Sequence, residues 1–128
     1  MTLRIGINGF GSIGRRVLRI ALKRPDIEVV AINDLTPPAT SAHLLKYDSN
    51  YGILDAEVSA TENSLIVDGK EIRVYSQKDP AQIPWKEHGV DIVMECTGRF
   101  RDKEQAQVHI THGGAKKVII SAPAKNED

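Results

Sequence analysis

The segment Ile5–Gly14 constrains this chain more than any other part of it. Its glycines follow the pattern Gly9-x-Gly11-x-x-Gly14, directly between an apolar run and a helical pattern. In such a turn the first glycine lets the chain leave the strand and the second lets the main chain approach a pyrophosphate. The third lets the helix pack closely on the sheet. The start of that helix also offers unpaired N–H groups to phosphates. The segment therefore predicts a strand–turn–helix unit that binds a dinucleotide.

Asp34 supplies the second half of this pattern. The apolar run 29–32 ends in Asn33-Asp34, and Asp34 lies twenty residues after Gly14, where an acidic residue that binds ribose is expected. A carboxylate there accepts hydrogen bonds from the ribose hydroxyls and repels a 2′-phosphate, so the spacing predicts NAD rather than NADP as the cofactor. The alternative interpretation is a glycine-rich turn and an unrelated surface aspartate. The order and spacing of the four features argue against this alternative, because a strand, a helix, a second strand and an acid follow one another as the pattern requires.

Strands alternate with helices along the chain, which predicts a Rossmann-type α/β fold. We expect a doubly wound, mostly parallel sheet with helices on both faces and an antiparallel hairpin insertion. Period-two alternation over 55–75, with Asp68-Gly69 between its last two runs, places that hairpin. The predicted strands are 3–8, 28–33, 90–95 and 117–121, and the predicted helices are 11–23, 37–47 and 102–112.

The first predicted helix carries an apolar pattern on one side and basic residues on another. The residues expected to face the core are Ile13, Val17, Ile20 and Ala21, and those expected to face solvent are Arg15, Arg16, Arg19 and Lys23. In the second helix the residues expected inward are Ala42, Leu44 and Leu45.

Length and composition set broad limits. The 128 residues have room for one domain, 1–128, and the 17 basic and 17 acidic residues balance. Net charge therefore gives no reason to expect nucleic acid or a membrane as a partner, and no apolar run approaches transmembrane length. The single cysteine, Cys96, fits a reducing cytosol and is expected to pack as a small residue. The histidines form no recognisable metal-binding set, so we predict no metal site.

Two further strand ends are candidates for ligand contacts, because open α/β sheets bind ligands at the carboxyl ends of their strands. They are the segments 97–100 and 121–123. Their hydroxyls and open main chain suit the second ribose and the nicotinamide, and Phe100 suits the adenine. The alternative is that both are ordinary turns between a strand and a helix. Trp85 is interpreted as a packing residue.

Several longer motifs resemble the N-terminal part of the glyceraldehyde-3-phosphate dehydrogenases, over essentially the whole chain. The motifs that carry the resemblance are Ile7–Arg15, Ala31–Asp34, His43–Ser49, Cys96–Phe100 and Gly114–Pro123. The resemblance implies an NAD-dependent, phosphorylating aldehyde oxidation in glycolysis, carried out in the cytoplasm by a homotetramer. By the same resemblance the cofactor contacts fall on Gly9, Phe10, Gly11, Ser12, Ile13, Gly14, Asn33, Asp34, Lys78, Thr97, Gly98, Phe100 and Ser121.

The chain departs from this family in two respects. Ser12 stands where most members carry arginine, but the phosphate contact there is mainly through the main chain. The catalytic cysteine motif of the family lies beyond Asp128, so no catalytic residue is assigned here. We therefore expect these residues to bind NAD without catalysing, with the catalytic domain as the missing partner. The alternatives are the N-terminal domain of an erythrose-4-phosphate dehydrogenase and a free-standing nucleotide-binding module.

Overall fold

The computed structural model describes residues 2–48, 52–54, 56–78, 83–96, 109 and 116–120. The helices within these residues are α1 (Ser12–Ala21), α2 (Pro38–Lys46) and a 3-10 helix (Trp85–His88). The strands are β1 (Leu3–Asn8), β2 (Ile27–Asn33), β3 (Tyr47–Asp48), β4 (Gly52–Ile53), β5 (Val58–Ala60), β6 (Ser64–Val67), β7 (Lys70–Tyr75), β8 (Ile92–Glu95) and β9 (Lys117–Ile120). Of the helix predicted over 102–112, only residue 109 is described, and it is helical.

The main sheet has the strand order β5-β6-β7-β2-β1-β8-β9. Strands β7, β2, β1, β8 and β9 run parallel, whereas β5 and β6 join antiparallel. This confirms the predicted Rossmann-type α/β fold with an antiparallel insertion. Strand β1 lies between β2 and β8, and all three run parallel. Their carboxyl ends therefore lie side by side. In an open α/β sheet such a position is where a ligand binds.

The hairpin of the insertion follows the predicted pattern. Leu65 and Val67 on β6, and Ile72 and Val74 on β7, are buried. Asp68 and Gly69 have φ angles of 49° and 83°. Positive φ at both central residues defines the turn type that matches the twist of the two strands.

Each face of the sheet carries its own apolar core. One core packs α1, α2 and the insertion against β1 and β2, and the other packs the 3-10 helix against β2 and β8. The register between β1 and β2 shifts between Ile5, which pairs with Val29, and Gly6, which pairs with Ala31. Val30 therefore has no register partner on β1. As a result Val30 and Ala31 both join the second core, around Trp85. Trp85 is thus a core residue, as predicted.

The predicted orientation of α1 is right for Ala21 but wrong for Ile13 and Ile20. Leu18 and Ala21 are buried, whereas Ile13 is 46% exposed and Ile20 53% exposed. The buried stripe begins at Gly14, where a Cβ would collide with the carbonyl oxygen of Gly9. Because this glycine must face the sheet, the residues four and seven positions later face it too. The outward apolar stripe is Ile13 and Ile20, with Val17 half-buried between them.

The basic residues of α1 and the apolar residues of α2 need smaller corrections. Arg15 and Arg19 are half-buried rather than solvated, and Nη2 of Arg19 donates a hydrogen bond of 2.8 Å to the carbonyl of Leu45. This bond ties α1 to α2. Ala42 and Leu45 face inward as predicted, but Leu44 is exposed. No helix within the described residues is both long and apolar enough to cross a membrane.

Candidate cofactor site

The turn from β1 into α1 has the geometry that its glycines predict. Gly9 has φ of 94°, a left-handed conformation that favours glycine, and its N–H donates to the carbonyl of Asn33 over 2.7 Å. A Cβ on Gly11 would meet nothing within 4 Å, so the space above this residue is open. At Gly14 a Cβ would also lie 3.1 Å from Cγ2 of Ile7. The three glycines therefore serve the turn, the ligand side and the helix–sheet contact respectively.

The start of α1 is available to an anion. Gly11 is the N-cap residue and is exposed, and no side chain caps the helix. The first turn of α1 contains no acidic residue. Arg15 donates from Nη1 to the carbonyl oxygen of Phe10 over 3.1 Å, which places a guanidinium beside the turn. Free N–H groups, the positive end of the helix dipole and this guanidinium together suit a pyrophosphate.

Asp34 lies next to this turn, as the sequence predicted. Its Oδ1 accepts a hydrogen bond of 3.0 Å from the main-chain N–H of Phe10, and its Oδ2 accepts one of 3.0 Å from that of Thr36. The side chain is half-buried. Each carboxylate oxygen keeps a second lone pair with which it can accept a ribose hydroxyl. The phenyl ring of Phe10 is itself buried in the core, so its contribution to the turn is its main chain.

A row of buried polar side chains crosses the sheet directly beneath this site. Asn33, Asn8 and Glu95 are the last residues of β2, β1 and β8, and they pair with one another in the sheet register. The Nδ2 of Asn33 donates to Oδ1 of Asn8 over 2.8 Å, and the Nδ2 of Asn8 donates to Oε1 of Glu95 over 2.7 Å. We call these three residues the polar row. Asn8 immediately precedes the predicted turn, Glu95 lies two residues before the predicted segment 97–100, and Asn33 is itself a predicted contact that immediately precedes Asp34.

His109 and Trp85 extend this arrangement on the second face of the sheet. The indole N–H of Trp85 donates to Nδ1 of His109 over 3.0 Å, and Nε2 of His109 lies 2.7 Å from Oε1 of Glu95. Because an indole N–H can only donate, Nδ1 is the acceptor, and the imidazole proton sits on Nε2 and points at Glu95. All three side chains are almost completely buried. The sequence interpretation missed this role of His109 and Glu95. The available signal was that three apolar strands each end in a polar residue.

The remaining predicted contacts are divided between described and undescribed parts of the chain. Lys78 is exposed and lies three residues after the end of β7. The predicted contacts Thr97, Gly98, Phe100 and Ser121 lie outside the described residues. Cys96 is half-buried, and its main-chain N–H donates to the carbonyl of Asn8. Among the residues that the structure describes, no group of three or more histidine, cysteine or acidic side chains could hold a metal ion.

A cavity of about 540 Å³ lies at the other end of the sheet. Its apolar walls include Leu18, Ala21 and Ile72, and charged residues such as Lys23 and Glu71 line it as well. It shares no residue with the turn at Gly9–Gly14 or with Asp34. The cavity therefore lies away from the predicted dinucleotide site.

The fold and the turn define a dinucleotide-binding domain. Residues 3–103 match the family described as glyceraldehyde 3-phosphate dehydrogenase, NAD binding domain. The chain therefore belongs to the glyceraldehyde-3-phosphate dehydrogenase family and corresponds to its NAD-binding domain, for which NAD is the cofactor.

Individual relatives agree with this assignment. The chain is 64% identical over 128 residues to a glyceraldehyde-3-phosphate dehydrogenase from Geobacillus stearothermophilus, covering all of this chain and 38% of the relative. It is 61% identical over 127 residues to the enzyme of the same name from Thermotoga maritima, covering 98% of this chain and 38% of the relative. The chain thus spans about 38% of the length of the curated relatives it matches.

Proposed function

We propose that this chain is the cofactor module of a phosphorylating glyceraldehyde-3-phosphate dehydrogenase of glycolysis, which works as a cytoplasmic homotetramer. The observation that carries the proposal is the hydrogen bond from the N–H of Phe10 to Asp34. It joins an acid suited to a ribose to an open helix start suited to a pyrophosphate. Bound NAD supplies the hydride acceptor for aldehyde oxidation.

In this proposal each part of the dinucleotide has its own protein group. The N–H groups of residues 12–14 and the guanidinium of Arg15 hold the pyrophosphate, and Asp34 holds the adenosine ribose. Lys78 approaches the adenine from the segment after β7, with Phe100 against the same base. Thr97, Gly98 and Ser121 face the second ribose and the nicotinamide. These assignments favour NAD over NADP, because the Asp34 carboxylate repels a 2′-phosphate.

These 128 residues are proposed to bind NAD without catalysing. Covalent aldehyde oxidation needs an activated thiolate beside a base. Cys96 is the single cysteine of the sequence, and it is half-buried directly after β8. The chain is expected to bind neither nucleic acid nor a membrane, since its 17 basic and 17 acidic residues balance.

Calorimetry on the purified chain tests the proposal. NAD should bind more tightly than NADP, and Asp34→Ala should remove that preference while circular dichroism shows an unchanged fold. A well-folded chain that binds neither nucleotide would contradict the proposed cofactor module. Separately, NADH formation from glyceraldehyde 3-phosphate, phosphate and NAD should stay at background. Turnover by the pure chain would disprove the proposed inactivity.

A further inference from the structure

The main-chain pairing between β2 and β7 stops just before the segment that leads to Lys78. The last register pair is Asn33 with Tyr75, and the N–H of Asp34 donates to the carbonyl of Tyr75 over 2.9 Å. Beyond this point, residues 76–78 leave the sheet and are exposed. Main-chain pairing with β2 therefore does not determine the path of this segment.

The side chain of Asn33 takes over where the strand pairing stops. Its Oδ1 accepts a hydrogen bond from the main-chain N–H of Gln77 over 2.9 Å, and its Nδ2 donates to the main-chain carbonyl of Gln77 over 3.0 Å. One carboxamide thus binds both main-chain polar groups of a single residue, as a neighbouring strand would. Gln77 immediately precedes Lys78, so these two bonds determine where that lysine leaves the protein.

The carboxamide of Asn33 is itself held in one orientation. It is 4% exposed, and its Nδ2 also donates to Oδ1 of Asn8 over 2.8 Å. Turning the amide by 180° would place its oxygen against the oxygens of Asn8 and Gln77, leaving both without a donor. Because Asn33 is buried and its polar atoms already bind protein groups, its geometry suits an indirect role better than a direct contact with the cofactor.

We propose that Asn33 is a positioning residue for the adenosine end of the site, which fixes the 76–78 segment and thereby aims Lys78 at the adenosine part of NAD. The inference rests on the proposed function, since it requires Lys78 to contact that end of the cofactor. It differs from a purely structural role in one measurable respect. If Asn33 acts through Lys78, removing Asn33 should matter only while Lys78 is present.

A double-mutant cycle on the whole 128-residue chain tests this relation. The NAD dissociation constant is measured for the original chain, Asn33→Ala, Lys78→Ala and the double variant. We expect each single change to weaken NAD binding by about tenfold, and the double variant to bind within about twofold of Lys78→Ala alone. AMP, which carries only the adenosine half of the ligand, should show the same pattern. Ser76→Ala, an exposed change in the same segment, should leave the affinity unchanged.

Several outcomes would overturn the inference. Losses that multiply in the double variant would show that Asn33 acts independently of Lys78. An unchanged affinity in Asn33→Ala or in Lys78→Ala would do so as well, while leaving the proposed function intact. Failure of the original chain to bind NAD would instead overturn the proposed function, and this inference with it. If Asn33→Ala does not fold, Asn33→Ser enters the same cycle, because a hydroxyl keeps a polar group at this position but cannot span both groups of Gln77.

Discussion

Oδ1 of Asp34 lies 3.0 Å from the main-chain nitrogen of Phe10 and accepts its hydrogen bond. The acid at the end of β2 and the turn at the end of β1 are therefore one unit rather than two neighbouring features. A change at Asp34 can act through its charge, through this bond, or through both. Two substitutions separate these effects.

Asp34→Asn keeps an oxygen that can accept from the N–H of Phe10, but it removes the negative charge and the oxygen that accepts from the N–H of Thr36. We expect the preference for NAD over NADP to fall by at least about tenfold, equivalent to about 1.4 kcal/mol. Asp34→Ala removes the acceptor as well and should weaken NAD binding further. Calorimetry with both nucleotides measures the ratio. An unchanged ratio in Asp34→Asn would contradict the role assigned to the charge.

Gly11 and Gly14 should respond to alanine in opposite ways. The Cβ of Gly11→Ala meets no protein atom within 4 Å, so the fold should keep its stability, while the new methyl group should block the approach of the pyrophosphate. The Cβ of Gly14→Ala collides with the carbonyl of Gly9, and such overpacking costs about 1–3 kcal/mol or more. Thermal unfolding and NAD titration of both variants provide the comparison. Equal thermal midpoints for the two variants would disprove the different roles assigned to Gly11 and Gly14.

The corrected orientation of α1 can be checked by two truncations. Leu18 is 1% exposed, so Leu18→Ala should lower the free energy of unfolding by about 2–5 kcal/mol. Ile20 is 53% exposed, so Ile20→Ala should change it by no more than about 0.5 kcal/mol. Urea denaturation of both variants measures the difference. If Ile20→Ala were the more damaging change, the original sequence-based orientation would be right.

His88 should make the stability of this chain depend on pH. Its Nε2 lies 2.6 Å from the hydroxyl of Tyr75, and burial lowers the pKa of His88 below its ordinary value of 6.5. Below pH 6.5 the unfolded chain therefore binds more protons at His88 than the folded chain does. The contribution of neutral His88 to the free energy of unfolding is complete above pH 6.5 and is lost as the pH falls through the folded pKa.

The measurement is thermal unfolding of the original chain and of His88→Gln between pH 7 and pH 5. The original chain should lose more stability over this range than the variant, whose amide can still accept from Tyr75 but does not titrate. Asp26 and Asp91 have pKa values lowered by hydrogen bonds from Arg24 and from the main chain of Arg4, and they act only in more acidic solution. Parallel curves for the two proteins would remove His88 as the cause.

The parts of the fold that the sequence predicted are those in which a local residue type determines a local geometry. Gly9 needs a left-handed conformation, and Asp68-Gly69 forms a tight hairpin. The orientation of α1 could not be predicted in this way, because the helix carries two apolar stripes one residue apart. Periodicity alone could not choose between the stripe at Ile13 and the stripe at Gly14. Close packing of Gly14 on the sheet decides between them.

The polar row could not be predicted in the same way. Asn8, Asn33 and Glu95 are far apart in the sequence, and each one alone is an ordinary polar residue at the end of a strand. Only the strand order brings their side chains together, because β1 lies between β2 and β8. The sequence predicted a site at the residues that follow each strand, but it did not reveal the layer beneath them.

The hydrogen bonds of that layer converge on a single carboxyl group. From one side Asn33 donates to Asn8 and Asn8 to Glu95, and from the other side Trp85 donates to His109 and His109 to the same oxygen. The dipoles of both branches therefore align toward one oxygen, Oε1 of Glu95, and neither amide can turn round without setting oxygen against oxygen. The atom that Asn33 offers to each group of Gln77 is thus dictated from two strands away. A donor in place of Glu95 would favour the opposite orientation of both amides and would therefore turn the wrong atoms of Asn33 toward Gln77.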